Sequence, residues 1–511
     1  MEQQKSFFVT DYLDKRSKHT PDKIGLINYI DGKEYTFKEW NRSANQVANY
    51  LHSFGVEKGD IVSIYATNCL EFLNVIFACG KIGAILHNMN WRLTVNELSG
   101  IMRDVTPKVF IYSKDWIEQV KQLRKQLSDN CRVIAITEKE NADDLEFNEF
   151  TKFPGDLKYK PELEMDHPWG IYYTGGTTGL PKGAIMSHGN IFWNNVNTIT
   201  TWGICETDIA PLQLPLFHIG GPNIFMFPLV HVGGRTILCR EFDLEQTFDL
   251  IEKGGITHYV AVPTMYVMMQ QHARWEKTDF TKLRLVISGG ASCPLPVMEK
   301  FWNKGVDFKM GYGLTEASGN NFWLEPSKVR ERSRSVGYPA FHVDMKVVRE
   351  DGTTCDSNEE GELLIRGPHI TPGYWNRPEE TANAIRNGWF YTGDIARTDE
   401  DGYFYIIGRT KDMFISGGEN VYPTEVESIL HGHPAIAEAA LLGIPHEKWG
   451  EVGCAFIVLK KDKHLTAEDI KIFLKDKLAK YKIPVRYIFV DSLPKTAIGK
   501  IDKIILKKMV D

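Results

Sequence analysis

The 511-residue chain, 43% apolar and 25% charged, is longer than one hydrophobic core ordinarily holds and matches folded globular composition, which excludes a disordered, collagenous or coiled-coil polymer. Its 60 basic and 66 acidic residues give a formal charge of -6, which excludes a broad electropositive nucleic-acid surface but leaves room for a local anion site. The eight cysteines are scattered, with no CxxC pair and no histidine partner at zinc-finger spacing, and are read as reduced thiols of a cytoplasmic chain.

The opening "MEQQKSFFVTDYLDKR" holds an apolar run of three residues before Thr10, too short for a secretory core. From Thr36 the pattern alternates: a helical "WNRSANQVANYLHSFG", an apolar "DIVSIYAT", a helical "CLEFLNVIFACGKIGA" and a buried strand "PKVFIYS". Such alternation predicts parallel βαβ units. It recurs in "GRTILCREFD", "LEQTFDLIEKGG", "THYVAVPT", "MYVMMQQHARW" and "LRLVISGG", predicting a second doubly wound sheet after residue 170. The most apolar window, "LQLPLFHIGGPNIFMFPLVHVGG", is broken by three prolines and two histidines and reads as core, so no integral membrane segment is expected. Beyond Gly337, short strands from "VDMKVVREDGTTCD" to "GYFYIIGR" predict a small β-barrel. The expected architecture is α/β: a large N-terminal domain (1–408) of two doubly wound subdomains plus the barrel, then a small α+β C-terminal domain (409–511).

"YTGGTTGLPKG" (173–183) gathers hydroxyls, glycines and a lysine. Glycines let backbone N–H groups converge on an anion, and Lys182 adds a compact charge suited to phosphate. Walker A spacing ends in GK[ST], whereas this lysine follows Leu180 and Pro181 and precedes Gly183, so an ordinary P-loop fits poorly. Taken alone, the loop reads as a phosphate cradle ahead of the alternative, a turn with a solvated lysine.

Four more motifs follow in order: "GYGLTEASG" (311–319), "YTGDIA" (391–396), "GRTKDMFISGGENVYPTEVE" (408–427) and "PKTAIGK" (494–500). Together the five resemble the acyl-adenylate-forming superfamily of acyl-CoA and aryl-CoA synthetases, nonribosomal adenylation domains and firefly luciferase. The likeness spans about Thr36 to Lys500 and is nearest to fatty or medium-chain acyl-CoA synthetases. One departure is Gly176, which stands where the family commonly has serine.

The resemblance implies an acid–CoA ligase that uses ATP, a carboxylic acid and CoA: adenylation to acyl-AMP with pyrophosphate release, then thioester formation. The acid is expected to be a medium- or long-chain fatty acid, with an aryl acid, or a carrier protein in place of CoA, as alternatives. Because two anions must meet, such a site needs Mg²⁺, lysine and amide dipoles. The resemblance gives Thr174, Gly175, Gly176, Thr177, Thr178, Gly179 and Lys182 to the phosphates, and Thr174 with Glu316 to Mg²⁺. It gives Gly289, Gly290 and Ala291, with Gly311, Tyr312, Gly313 and Leu314, to the adenine side, Thr315 to the α-phosphate, and Asp394 and Arg409 to the ribose. Lys500 matches the family's catalytic lysine, with Lys495 the weaker candidate. Lys411 marks a hinge about which the small domain turns, bringing Gly417, Gly418 and Glu419 to the CoA channel. His218 fits two readings, a gate between acid and thiol or a core histidine. The apolar stripes "NIFMFPLV" and "VAVPTMY" fit an acyl pocket or plain core. A monomer or homodimer is expected.

Overall fold

Strands Ile61–Tyr65, Ile85–Asn88 and Val109–Tyr112 are buried at every position, as strands are when helices cover both faces of a parallel sheet. The computed structural model, which describes residues 9–174, 181–475, 477–496 and 500–510, places them at the centre of a seven-stranded sheet. Its order is Leu145–Glu146, Arg132–Ala135, Val109–Tyr112, Ile61–Tyr65, Ile85–Asn88, Pro168–Thr174 and Lys182–Ser187. All pairs are parallel except the last, which is an antiparallel hairpin with Thr174 opposite Lys182. The glycine-rich segment therefore joins the two arms of this hairpin. Helix Phe37–Ser53 covers one face, burying Phe37, Trp40, Ala44, Val47, Ala48 and Leu51 at helical spacing; Thr36 and Glu39 close its N-terminus as a capping box.

The second layered region has a four-stranded sheet (Ile209–Leu212, Arg235–Leu238, Ile24–Asn28, Lys33–Thr36) and a three-stranded parallel one (His258–Ala261, Leu285–Ser288, Phe308–Met310). Thr257 joins them, donating its N–H to the Ile209 carbonyl at 2.9 Å and accepting the Ile209 N–H on its hydroxyl at 3.0 Å. Ile24–Asn28 and Lys33–Thr36 precede the point where alternation becomes legible, so part of this region is built from the N-terminus.

Strands Asp344–Val348, Gly361–Arg366, Ile385–Arg386, Trp389–Thr398 and Phe404–Arg409 form a five-stranded antiparallel unit, where a small barrel was expected, around its own core, which includes Phe322, Val347, Leu363, Ile365 and Phe404. Tyr312 and Leu314 pack on that core, so the Gly311–Leu314 loop is seated where this unit meets the parallel strands. Sheet membership changes between Arg409 and Phe414, across the turn Thr410–Asp412. Beyond it, Glu419–Val421, Phe414–Ser416, Gly450–Leu459 and Ile436–His446 form one sheet, and Arg486–Phe489 pairs with Gly450–Leu459. Their core includes Phe414, Val426, Leu430, Leu441, Ile457, Ile470 and Leu474. Among the described residues, no helix is long and apolar enough to cross a membrane.

Leu441 is fully buried in this last core. Leu441→Ala is expected to destabilise the small unit by roughly 2–5 kcal/mol, lowering its calorimetric transition while the large unit's stays in place. One transition moving as a whole would show the two units to unfold together.

Candidate active site

Strand Leu285–Ser288 ends in Gly289, Gly290 and Ala291, and strand Phe308–Met310 ends in Gly311, Tyr312, Gly313 and Leu314, so both loops leave parallel neighbours at their carboxyl ends. That is where a doubly wound sheet opens a ligand crevice. The Gly311 N–H donates to the Ser288 carbonyl at 2.8 Å and ties the loops together. A Cβ on Gly313 would lie 1.6 Å from the Gly319 carbonyl oxygen, so the loop folds back on itself only with glycine there.

Tyr312 reaches across to Asp394, donating its hydroxyl to Oδ2 at 2.5 Å. Arg409 approaches the other carboxylate oxygen at 3.0 Å, because strand Trp389–Thr398 pairs Asp394 directly opposite Arg409. The Asp394 side chain is 6% exposed and that of Arg409 46%, so the carboxylate is sheltered while the guanidinium stays wet. Burial first, then the adjacent carboxylate, hold the Tyr312 phenol well above its ordinary value, which keeps it a donor. A carboxylate has further lone pairs, so Asp394 can accept additional hydroxyl donors without losing these partners.

Thr315 and Glu316 follow in a short 3₁₀ turn, Thr315 buried. Glu316 accepts the Tyr374 hydroxyl on Oε1 at 3.0 Å, and its carbonyl accepts the Thr371 N–H at 2.7 Å. Burial raises the Glu316 carboxyl above its usual range, opposed by hydrogen bonds from its own backbone and from Tyr374. The Lys182 ammonium sits 5.4 Å from the centroid of the same tyrosine ring. Thr174 ends the first hairpin arm, its hydroxyl 3.4 Å from the Lys182 carbonyl. Gly175, Gly176, Thr177, Thr178 and Gly179 lie outside the described residues. Among the described residues, no group of three or more His, Cys, Asp or Glu could by itself hold a metal. The hydroxyl and carboxylate of Thr174 and Glu316 are hard oxygen donors, which suits a Mg²⁺ that keeps most of its coordination for phosphate and water.

Lys500 returns to this crevice from the far end of the chain. It keeps solvent-exposed surface, yet crowding lowers its ammonium to about 8. Burial leads, the positive charges of Arg409 and Lys411 push the same way, and Asp394 and Glu316 oppose them. The Lys500 charge also acts on His218, which burial first, then Lys500 and Arg92, bring down to about 4. The Gly220 N–H donates to His218 Nδ1 at 3.1 Å, so at neutral pH the ring is uncharged with its proton assigned to Nε2. Lys411 is likewise lowered, by burial and then by Arg409. The structure thus brings Lys500, Asp394, Arg409, Glu316, Lys411 and His218 into one electrostatic neighbourhood.

Gly417, Gly418 and Glu419 are placed differently. They form the exposed turn of the hairpin Phe414–Ser416/Glu419–Val421, with φ of +63° and +89° at the glycines, where side chains are strained. Gly417 donates to the Trp449 carbonyl at 2.9 Å, and a Cβ on Gly418 would meet nothing within 4 Å. Sequence reasoning also passed over Tyr374 and Arg92. The only signal for Tyr374 is an aromatic residue in the Pro- and Gly-punctuated "TPGYWNRP". Arg92 packs over the Trp91 ring at 4.7 Å.

Family models for the AMP-binding enzyme and for the AMP-binding enzyme C-terminal domain match residues 13–375 and 425–500. The chain is 36% identical over 489 residues to a feruloyl-CoA synthase of Amycolatopsis sp., covering 96% of each protein. It is 35% identical to a 2-succinylbenzoate–CoA ligase of a Geobacillus species, covering 98% of each. Among solved structures, the o-succinylbenzoate CoA synthetase of Bacillus subtilis superposes in its acyl-adenylate complex with a TM-score of 0.87 (31% identity, 97% of this chain, 98% of that one). The same enzyme with ATP and magnesium ion gives 0.86 (31% identity, 97% and 99%). On the crevice geometry and these matches, the chain belongs to the AMP-binding enzyme family and is an AMP-forming acid–CoA ligase.

Proposed function

We propose that this ligase activates an aromatic carboxylic acid, in place of the medium- or long-chain fatty acid that the motifs first suggested. Two observations support an aryl substrate. Relatives at 36% and 35% identity are named for feruloyl and 2-succinylbenzoate, both aromatic acids. The first stripe expected to wall a fatty-acyl pocket is instead largely packed core, with Phe225, Met226, Phe227, Leu229 and Val230 all under 9% exposed, whereas Val262, Pro263, Thr264 and Met265 of the second are only half-buried. The void that Leu214, Gly220, Gly221, Phe225 and Val260 line is only about 10 Å³. A larger void of about 190 Å³, lined in part by Trp91, Phe242 and Met265 of the second stripe, gives the proposed acid room beside aromatic rings.

The convergence of Lys500 with Asp394, Arg409, Glu316 and His218 carries the mechanistic reading. In it, Thr174 to Gly179 and Lys182 bind the β- and γ-phosphates, and Gly289, Gly290, Ala291 and Gly311 to Leu314 bound the adenine. Thr315 faces the α-phosphate, while Asp394 and Arg409 orient the ribose. Mg²⁺, held by Glu316 and Thr174, would supply positive charge to the phosphate oxygens. Lys500 stabilises charge where the carboxylate oxygen bonds to the α-phosphorus and pyrophosphate leaves. His218, being neutral, does not share that task; its ring separates the acid from the approaching thiol. For the second half-reaction, the domain beyond residue 408 turns near Lys411 and brings Gly417, Gly418 and Glu419 to the CoA channel.

Pyrophosphate release measured across aromatic, aliphatic and amino acids, each with and without CoA, tests the substrate class. An aromatic acid is expected to give the highest kcat/KM, and preference for a long alkyl acid would overturn the reading. Lys500→Ala is expected to lower acyl-AMP formation by roughly a hundredfold or more while sparing thioester formation from supplied acyl-AMP. Equal loss of both steps would remove Lys500 from the adenylation step. Because the protonated ammonium does the work, wild-type adenylation is expected to decline as pH rises through about 8. A single-turnover pH profile shows whether that limb disappears in the Lys500→Ala enzyme.

A further inference from the structure

Residues 371–377 touch both halves of the proposed phosphate site. The Thr371 N–H donates to the Glu316 carbonyl at 2.7 Å, and its hydroxyl donates to the Ile185 carbonyl at 2.7 Å. The Ile185 N–H donates to Gly373 at 3.0 Å, and the Trp375 N–H donates to Gly183 at 2.7 Å. Tyr374 thereby pairs with Ala184 as an antiparallel bridge, so the segment lies along the hairpin arm Lys182–Ser187.

Its far end grips the other arm. Asp104 accepts the Trp375 indole N–H at 3.3 Å and the Asn376 amide at 3.1 Å on its carbonyl, pairs with Arg377 at 3.3 Å, and accepts the Tyr173 hydroxyl at 2.7 Å. Tyr173 immediately precedes Thr174. One strap therefore fixes both bases of the glycine-rich loop and the Glu316 turn. At its centre, the Tyr374 hydroxyl meets Glu316 Oε1 and its ring faces the Lys182 ammonium.

We propose that Tyr374 is a positioning residue for the nucleotide-bound cation: its hydroxyl fixes one oxygen of Glu316 and so sets how that carboxylate presents its remaining lone pairs, in register with the phosphate loop. This rests on the reading of Glu316 as a metal ligand. A carboxylate on a flexible stem samples several orientations, and a donor on one oxygen selects among them before the metal arrives. The tyrosine is suited to this because its backbone is already fixed on both sides by Thr371 and Trp375. Its ring adds a second tie, holding Lys182 near the same point.

The test uses the full-length enzyme with ATP and no acid, so that no turnover occurs, and Mn²⁺ as a spectroscopic probe titrated by electron paramagnetic resonance well below each variant's melting temperature. Tyr374→Phe is expected to weaken Mn²⁺ binding to the enzyme–ATP complex by about tenfold, with metal-free ATP affinity unchanged. Tyr374→Leu, which also removes the ring, is expected to weaken metal-free ATP binding as well. In a Glu316→Gln background, Tyr374→Phe is expected to add nothing further. Mn²⁺ affinity unaltered by Tyr374→Phe, or a full additional loss in the Glu316→Gln background, would overturn the proposal. Mn²⁺ affinity unaltered by Glu316→Gln itself would instead overturn the ligand assignment beneath it.

Discussion

The pairing of Asp394 with Arg409 is the point on which the rest of the site depends. Strand register alone sets them opposite each other, and Tyr312 closes the same carboxylate from the loop that follows Phe308–Met310. Two regions are thereby fixed by one side chain: the parallel strands that carry the loop, and the antiparallel unit whose neighbouring strands hold Asp394 and Arg409, the latter at the end of the last strand before the chain crosses to the small unit. With the guanidinium half in water, the ion pair itself adds little stability, at most about 1 kcal/mol. Its value lies in geometry, because a sheltered carboxylate with a fixed donor and a fixed cation cannot easily turn away.

The same pairing organises charge. Two carboxylates, Asp394 and Glu316, and three cations, Arg409, Lys411 and Lys500, share this field, as the causes behind the shifts of Glu316, Lys411 and Lys500 show. Burial raises Glu316 and lowers Lys500, so each charge is less comfortable than it would be in water. Anionic phosphate would relieve the lysine. A site whose charges are strained without ligand and eased with it spends its electrostatics on substrate rather than on the fold.

Much of this was legible in the sequence, for reasons that differ by element. The short runs rich in β-branched and aromatic residues at Ile61–Tyr65 and Val109–Tyr112 read as buried strands, and the 3.6-residue period of Phe37–Ser53 fixes its inner face. The strands Ile24–Asn28 and Lys33–Thr36 were not legible, since a short pair joined to a sheet through the distant Arg235–Leu238 leaves no local sign of its partner. In the site, Glu316, Asp394 and Lys500 stand in short motifs whose spacing identifies them. Tyr374 does not, because its role arises where a strap crosses a hairpin some 190 residues earlier in sequence, a relation that exists only in three dimensions. The acyl side was least legible: an apolar stripe looks alike whether it lines a pocket or fills a core, and here Phe225 to Val230 mostly fill one while Met265 lines a void.

The position of Lys500 connects this charge balance to movement. Among the described residues, each ion pair joins partners on the same side of Thr410–Asp412, and none bridges the large and small units. The lysine nevertheless feels Asp394, Arg409 and Glu316 through space. That influence depends on the net charge in the crevice. In the proposed scheme, ATP and a carboxylate together bring the most negative charge, and the lysine is then drawn in most strongly. Once pyrophosphate has left, only a single phosphate charge of the acyl-AMP remains, and the attraction falls. The ligand's own chemistry would then loosen the small unit at the step where the scheme has it turn.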